Sequence, residues 1–394
     1  MYKQRFIEIY GHLPQAVYAA PGRVELCGNH TDHQGGRVLA AAIDRAVRIY
    51  ARKTGGSRVT VHSEGFEPCV AELDELAVKS EERNTSAALV RGVLAGLCNM
   101  GISPVGAELY VTSDVPIGSG LSSSAAFSVA MAKCLSDLSG RELTKEQLAQ
   151  LALYAENRYF MKPCGGLDQY ASALGGAVRL DFSSPDMPKA KKLSLEWLEA
   201  THALCIVKVG ADHCDLTDEY ADIVSELRQI CGVFGRERLS DVSCDEAMSR
   251  LFELRSVCGD RAVLRALHVF SENRRVDDAE RAIREHSAAD LAKALGESGH
   301  SSATLLQNIV PCGEKREQSA ALAIALAGLA LSDIAADGAS AVRIHGGGFG
   351  GTVLCLVPKG AINELIKTME PVFGRGCVLT VRVDESGVRK EVLK

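Results

Sequence analysis

Asp114-Val-Pro-Ile-Gly-Ser-Gly-Leu-Ser-Ser-Ser-Ala-Ala126 decides how the rest of this chain is read. On its N-terminal side Leu109, Val111 and Val115 alternate with Tyr110, Thr112 and Asp114, the period of a half-buried strand. On its C-terminal side Leu121, Ala125, Val129, Ala132 and Leu135 recur at helical spacing, so a helix is expected to begin inside the serine run. The turn between them holds Pro116, Gly118 and Gly120. Glycine admits positive φ and lets backbone come close to a ligand. A helix N-terminus behind such a turn offers unpaired N–H groups and partial positive charge, a seat for phosphate. Ser122, Ser123 and Ser124 can cap the helix, bond phosphate oxygens or ligate Mg²⁺. An ordinary capped turn needs one serine, and three ahead of a small-residue helix favour phosphate binding. No Lys follows the glycines, so this is not a Walker A loop.

The 394 residues suit two domains of ordinary size in an α/β chain. The expected boundary follows 1–183, because 183–192 carries two prolines and three lysines, and the second domain then runs 184–394. Hydrophobic residues at 46% and charged ones at 24% are those of a soluble globular protein. A net charge of −6 gives no electrostatic footprint for nucleic acid or an anionic membrane. The first residues lack the apolar run of a signal peptide, and the longest apolar run, 320–331, is too short to span a bilayer and reads as a buried helix. The 13 cysteines contain no C-x-x-C pair, which argues against a disulfide framework or a zinc site. A cytoplasmic chain with reduced, mostly buried thiols is expected.

Three further stretches carry chemistry. Pro21 to Gly36 reads as a loop that packs Arg23, Glu25, Asn29, His30, Asp32 and His33 between glycines. Such groups are costly to bury unless they pair with each other or a ligand. A solvated turn-rich loop is the plainer reading, and no recognised metal-ligand spacing is present. Residues 144–159 read as a helix with a Thr144/Gln147 capping box, carrying Glu156 near its end. Asp168 follows a glycine pair at the start of another helix, where an acidic residue can be merely stabilising. Residues 341–357 read as strand, glycine loop, strand, with five glycines in 346–351. That freedom has an entropic cost, which close approach to a ligand or to the other domain would justify. Strands are also expected at 38–43, 47–50, 59–62, 177–182, 203–209 and 378–383, with helices at 86–99, through much of 245–307 and around 362–369.

In this order the motifs resemble the GHMP kinase superfamily and, within it, the galactokinase family, over nearly the whole chain. They are Pro-Gly-Arg-x-x-x-x-Gly-x-His-x-Asp, Pro-x-Gly-x-Gly-Leu-Ser-Ser-Ser-Ala and Gly-Gly-Gly-Phe-Gly-Gly. The resemblance implies two α/β domains with the active site in the cleft between them. It implies ATP phosphates on Gly118, Ser119, Gly120, Leu121, Ser122, Ser123 and Ser124, and Mg²⁺ on Ser124 and Glu156. Asp168 matches the catalytic base and Arg23 the transition-state stabiliser. Asn29, His30, Thr31 and Asp32 fall on the sugar-binding segment, and Tyr220 on a further sugar contact.

The departures lie in the sugar segment, which in the family usually reads Gly-Arg-x-Asn-Leu-Ile-Gly-Glu-His-x-Asp-Tyr. Here Glu25 replaces Asn, Asn29 replaces Glu and His33 replaces Tyr. Asn29 would still accept a hydrogen bond from a sugar hydroxyl, without charge and with an added donor. The basic residues that usually follow the Tyr are missing after Tyr220. The expectation is an ATP- and Mg²⁺-dependent kinase acting on the anomeric hydroxyl of galactose, with a monomer as the default. The alternatives are a sibling kinase for a uronic acid, an amino sugar or L-arabinose, and a silent sugar- and ATP-binding sensor.

Overall fold

The computed structural model describes residues 2–116, 120–162, 164–184, 187–210, 217–332 and 339–393. Helix α1 (Tyr2–Tyr10) leads into β1 (Ala16–Cys27), which pairs antiparallel with the long β2 (Arg37–Lys53). Then come β3 (Arg58–Ser63), β4 (Cys69–Glu72), α2 (Ser86–Asn99), β5 (Ala107–Ser113), α3 (Ser123–Leu138), α4 (Lys145–Ala155) and α5 (Leu167–Leu174). Strands β6 (Ala177–Asp181) and β7 (Lys189–Leu193) follow. The second half is β8 (His202–Lys208), α6 (Thr217–Val233), α7 (Cys244–Ser249), α8 (Leu251–Arg284), α9 (Ala288–Ser301) and α10 (Ser319–Ser332). It ends with β9 (Ala341–Ile344), β10 (Thr352–Pro358), α11 (Ile362–Phe373), β11 (Val378–Val381) and β12 (Arg389–Glu391).

Two sheets organise the molecule. The larger has the order β12-β1-β2-β5-β3-β4, with β6 joining β2 to β7, and the smaller is β11-β8-β10-β9. The division at 183/184 falls between β6 and β7, which pair residue by residue in the larger sheet, and the chain returns to that sheet with β12. The strands expected at 38–43 and 47–50 are one strand. Asp44 does not break it, because its N–H donates to Arg382 O and Ile43 bridges to Val383.

Helices α3 and α5 pack on β1 and β2, as does α8, while α9 packs on β1 and β9. The small side chains of α3 explain its close seat: Ala125, Ala126, Val129, Ala130 and Ala132 are fully buried. Helices α2 and α4 touch at Gly92, where a Cβ would stand 2.8 Å from Ala155 Cα. The Thr144/Gln147 capping box starts α4, but the helix stops at Ala155 and continues as a π turn from Glu156 to Phe160. Helix α10 is apolar all round, yet it buries only Ala320, Ala323, Ala327 and Leu331 and leaves Leu322 and Leu329 exposed. No helix among the described residues is long and apolar enough to cross a membrane.

Candidate active site

Pro21 to Cys27 is not a loop but the second half of β1, buried at every position. Along it Val24 and Leu26 join the apolar core, while Arg23 and Glu25 alternate to the opposite face, beneath the second half of the chain. Arg23 Nε and Nη2 lie 2.8 and 2.7 Å from Asp168 Oδ1, and Nη1 donates to Gly120 O at 2.6 Å. Asp168 stands in the first turn of α5, behind Gly166 at φ 114°. The Ser172 hydroxyl ties that helix to β1 through Pro21 O at 2.6 Å. Burial pushes the Asp168 carboxyl up, but the charges of Arg23 and Lys162 outweigh it and hold the group below its usual range. Asp168 is therefore ionised at neutral pH.

The phosphate stretch enters from β5. Gly118 and Ser119 lie outside the described residues. Leu121 is buried and its carbonyl accepts Arg23 N–H at 3.1 Å. Ser122 takes the left-handed conformation, φ 62° and ψ 48°, and α3 begins at Ser123. The Ser122 hydroxyl does not cap that helix and bears instead on the Asp168 carboxylate, favouring its ionised form. Glu156 opens the π turn after α4 with Ser124 beside it. Glu156 is 1% exposed, and its Oε1 has no partner. Burial pushes Glu156 above its ordinary value and the Asp168 charge adds to this, against the pull of Lys162. Among the described residues no cluster of three or more His, Cys, Asp or Glu is arranged for a metal.

The sugar segment divides. The Asn29 carboxamide is spent inside the protein, which departs from its expected part as a hydroxyl reader. Nδ2 donates to Glu25 Oε1 (2.9 Å) and Gly346 O (2.5 Å), and Oδ1 accepts from Asn308 Nδ2 at 2.7 Å. Thr31 is likewise buried, its hydroxyl lying 2.5 Å from Arg37 O and 2.9 Å from Gly28 O, so its one proton is taken within the chain. Gln34 Nε2 donates to His33 Nδ1 (3.0 Å), which leaves His33 Nε2–H to donate to His30 Nδ1 (3.2 Å). His30 Nε2–H then donates to Gly347 O at 2.9 Å. Both rings are neutral: burial lowers His30, and burial with the His30 neighbour takes His33 down to about 3. Asp32 accepts His33 N–H at 2.9 Å, and burial, with Asp168 adding to it, pushes its carboxyl up to about 6. Tyr220 donates to Gly348 O at 3.2 Å and lies over the His30 ring, centroids 6.4 Å apart. One fold thus joins the sugar segment, the phosphate turn, Asp168 and the 346–351 glycines.

Comparison with known proteins places this arrangement. Residues 4–53 match the galactokinase galactose-binding signature, and residues 88–176 match the GHMP kinases N-terminal domain. A galactokinase of Streptomyces coelicolor is 31% identical over 392 residues, covering 97% of this chain and 95% of that one. A galactokinase of Chloroflexus aurantiacus is 32% identical over 390 residues, 92% of this chain and 89% of the other. The chain belongs to the galactokinase family. It is a sugar kinase, an enzyme that transfers phosphate to an alcohol. Its fold is that of the GHMP kinases. Lactococcus lactis galactokinase, solved with galactose, superimposes with a TM-score of 0.83 at 23% identity, covering 99% of this chain and 98% of that chain. Methanococcus jannaschii mevalonate kinase superimposes at 0.65 and 17% identity, covering 93% of this chain and 98% of that chain.

Residues that the sequence reading passed over hold these groups together. Arg343 pairs with Glu25 Oε1 at 2.8 Å and donates to Leu26 O. Glu272, fully buried, accepts Gly28 N–H at 2.9 Å and the Cys27 thiol at 3.4 Å and pairs with Arg275. His268 Nε2 donates to Asn29 O at 2.9 Å. Lys162 stands exposed between Glu156 and Asp168 in the chain and bears on both electrostatically. Only its position between two acidic motif residues could have drawn notice. The others lie on distant helices and strands.

Proposed function

We propose that this chain phosphorylates galactose at the anomeric hydroxyl with ATP, giving galactose 1-phosphate and ADP. The observation that carries the reading is the reach of Arg23. One guanidinium holds both the Asp168 carboxylate and the Gly120 carbonyl, so base and phosphate turn sit within a single side chain of each other. Asp168, kept ionised by Arg23 and Lys162, takes the proton of the attacking hydroxyl. Arg23 offers a planar fork to the phosphoryl oxygens, where charge spreads during transfer. The ring of His30, the Asp32 carboxylate and Tyr220 line the sugar side, while Asn29 and Thr31 hold the segment in place. Glu156 Oε1, buried without a partner, and the Ser124 hydroxyl are hard oxygen donors that fit Mg²⁺. When bound, Mg²⁺ neutralises phosphate charge.

The test is initial-rate phosphorylation of a panel of free sugars with Mg·ATP, with galactose expected to show the highest kcat/KM. One observation supports a second reading, a sibling sugar as substrate: the carboxamide of Asn29 is turned into the protein. L-Arabinose, galacturonic acid, galactosamine and 6-deoxygalactose therefore belong in the panel. A higher kcat/KM for any of them would replace galactose, and turnover of none would favour the sensor.

A further inference from the structure

Beyond its pairing with β12, the free edge of β1 is covered by side chains from the end of β9. Arg343 and His345 alternate and face it together. Arg343 Nη1 donates to Glu25 O at 3.2 Å, and Glu25 N–H donates to His345 Nε2 at 3.0 Å. A nitrogen that accepts carries no proton, so the His345 proton is on Nδ1. That Nδ1–H has no hydrogen-bond partner, although His345 is 2% exposed. Thr352, 1% exposed at the start of β10, has an unpartnered hydroxyl as well. Two unpaired buried donors are costly, and in a native structure they call for an explanation.

Their position supplies one. A Cβ on Gly120 would stand 2.7 Å from Thr352 Oγ1 and 3.5 Å from His345 Nδ1, so both donors pack against this one residue. Gly120 has φ +65°, and without a side chain it leaves ψ as open as φ, so the peptide plane that carries its carbonyl can turn about the Cα–C bond. In the present state that carbonyl is held by Arg23 Nη1. We infer that His345 Nδ1–H and the Thr352 hydroxyl are an unspent donor pair that takes the Gly120 carbonyl when nucleotide phosphates enter, releasing the Arg23 Nη1 N–H to a phosphoryl oxygen. His345 is then a positioning residue. It stays neutral throughout, because burial and then the charges of Arg23 and Arg343 lower its pKa well below the ordinary histidine value. The inference rests on the proposed use of Gly120 to Ser124 as the nucleotide phosphate seat.

The imidazole's two nitrogens can be tested separately. His345→Gln keeps an acceptor for Glu25 N–H and loses the Nδ1 donor. His345→Asn keeps a donor near Nδ1 and loses the acceptor. Calorimetric titration with a non-hydrolysable ATP analogue reads the hand-over without needing the right sugar. The Gln variant is expected to melt near wild type and bind the analogue about tenfold more weakly, the equivalent of one hydrogen bond. The Asn variant should melt lower but regain affinity to within about twofold. A Gln variant that binds as tightly as wild type, or an Asn variant as weak as Gln, makes His345 a strand cap only and overturns the inference. Should the Gln variant fail to fold, Thr352→Val carries the test, since it leaves the Glu25 cap intact: weaker binding supports the inference and unchanged binding overturns it. A wild-type chain without nucleotide affinity overturns this inference and the phosphate seat together, whereas unaltered binding in the variants alone overturns only the hand-over.

Discussion

Arg23 and Glu25 stand two residues apart on one face of β1, yet their surroundings differ in kind. Around Arg23 the polar groups are underused: Glu156 Oε1, His345 Nδ1 and Thr352 Oγ1 lack partners, and the Asp168 side chain is 22% exposed. Around Glu25 they are largely spent. Arg343, Asn29, Glu272, His268 and Asn308 bind one another and the backbone of 25–29. Burying a polar group is costly unless it is bonded. The saturated cluster therefore secures the sugar segment to the second half of the chain, whereas the unsaturated one keeps hydrogen-bonding capacity that a ligand, or a turned Gly120 carbonyl, can take up. The comparison turns a polar residue's role into a question of whether its hydrogen bonds are already taken.

Mutations on the two sides should separate activity from stability. The largest effect is expected from Asp168→Asn, which should lower kcat by about 10²–10⁴-fold. Its melting temperature should fall less than that of a variant on the spent side, because the Asp168 side chain is 22% exposed and its pair with Arg23 is only partly desolvated. A kcat near wild type would remove Asp168 from the proton transfer. On the spent side Glu272→Gln should cost about 3–5 kcal/mol in denaturant unfolding, because it removes the buried partner of Arg275 and one of the two carboxylates that offset the Arg343 charge. Burial raises the Glu272 carboxyl, but His268, Arg343 and Arg275 prevail and hold it down to about 2, against an ordinary 4.5. A lowered carboxyl stabilises above its unfolded value and loses that contribution as pH falls through the folded one. Wild-type stability should thus fall between pH 4.5 and about 2, and the Gln variant should show a shallower fall. Equal slopes would make the cluster electrostatically idle.

Smaller effects sharpen the boundary. Glu156→Gln should raise the Mg²⁺ needed for half-maximal rate about tenfold while moving the sugar KM little, as expected of a hard charged ligand. An unchanged Mg²⁺ titration would leave Glu156 a structural residue of the π turn. Asp32 tests the seam between the two sides. Its carboxyl is raised to about 6, so it is neutral below that pH and charged above. In wild type, kcat/KM for the sugar should climb a few-fold as pH rises through about 6. Asp32→Asn should flatten that limb, and a limb that persists in the variant would assign it to another group.

Much of this protein is local information, and the sequence alone determined it. Period-2 alternation before Pro116 and helical spacing after Leu121 place β5 and α3, and Thr144 with Gln147 starts α4. The three glycine-bearing motifs gave the family, because turn chemistry and residue order are written in the chain itself. The merging of 37–53 into one strand depended on a distant partner, Arg382, for Asp44 N–H. The strand character of 21–27 depended on cover from β9, and no local pattern announces a buried polar strand. Asn29 shows the limit most sharply. Its neighbours in sequence suggest a sugar contact, but Glu25, Gly346 and Asn308 take its hydrogen bonds, two of them hundreds of residues away. A residue's chemistry is fixed by its type. Whether that chemistry remains available to a ligand was decided by the tertiary structure, because only folding determines which partners reach it first.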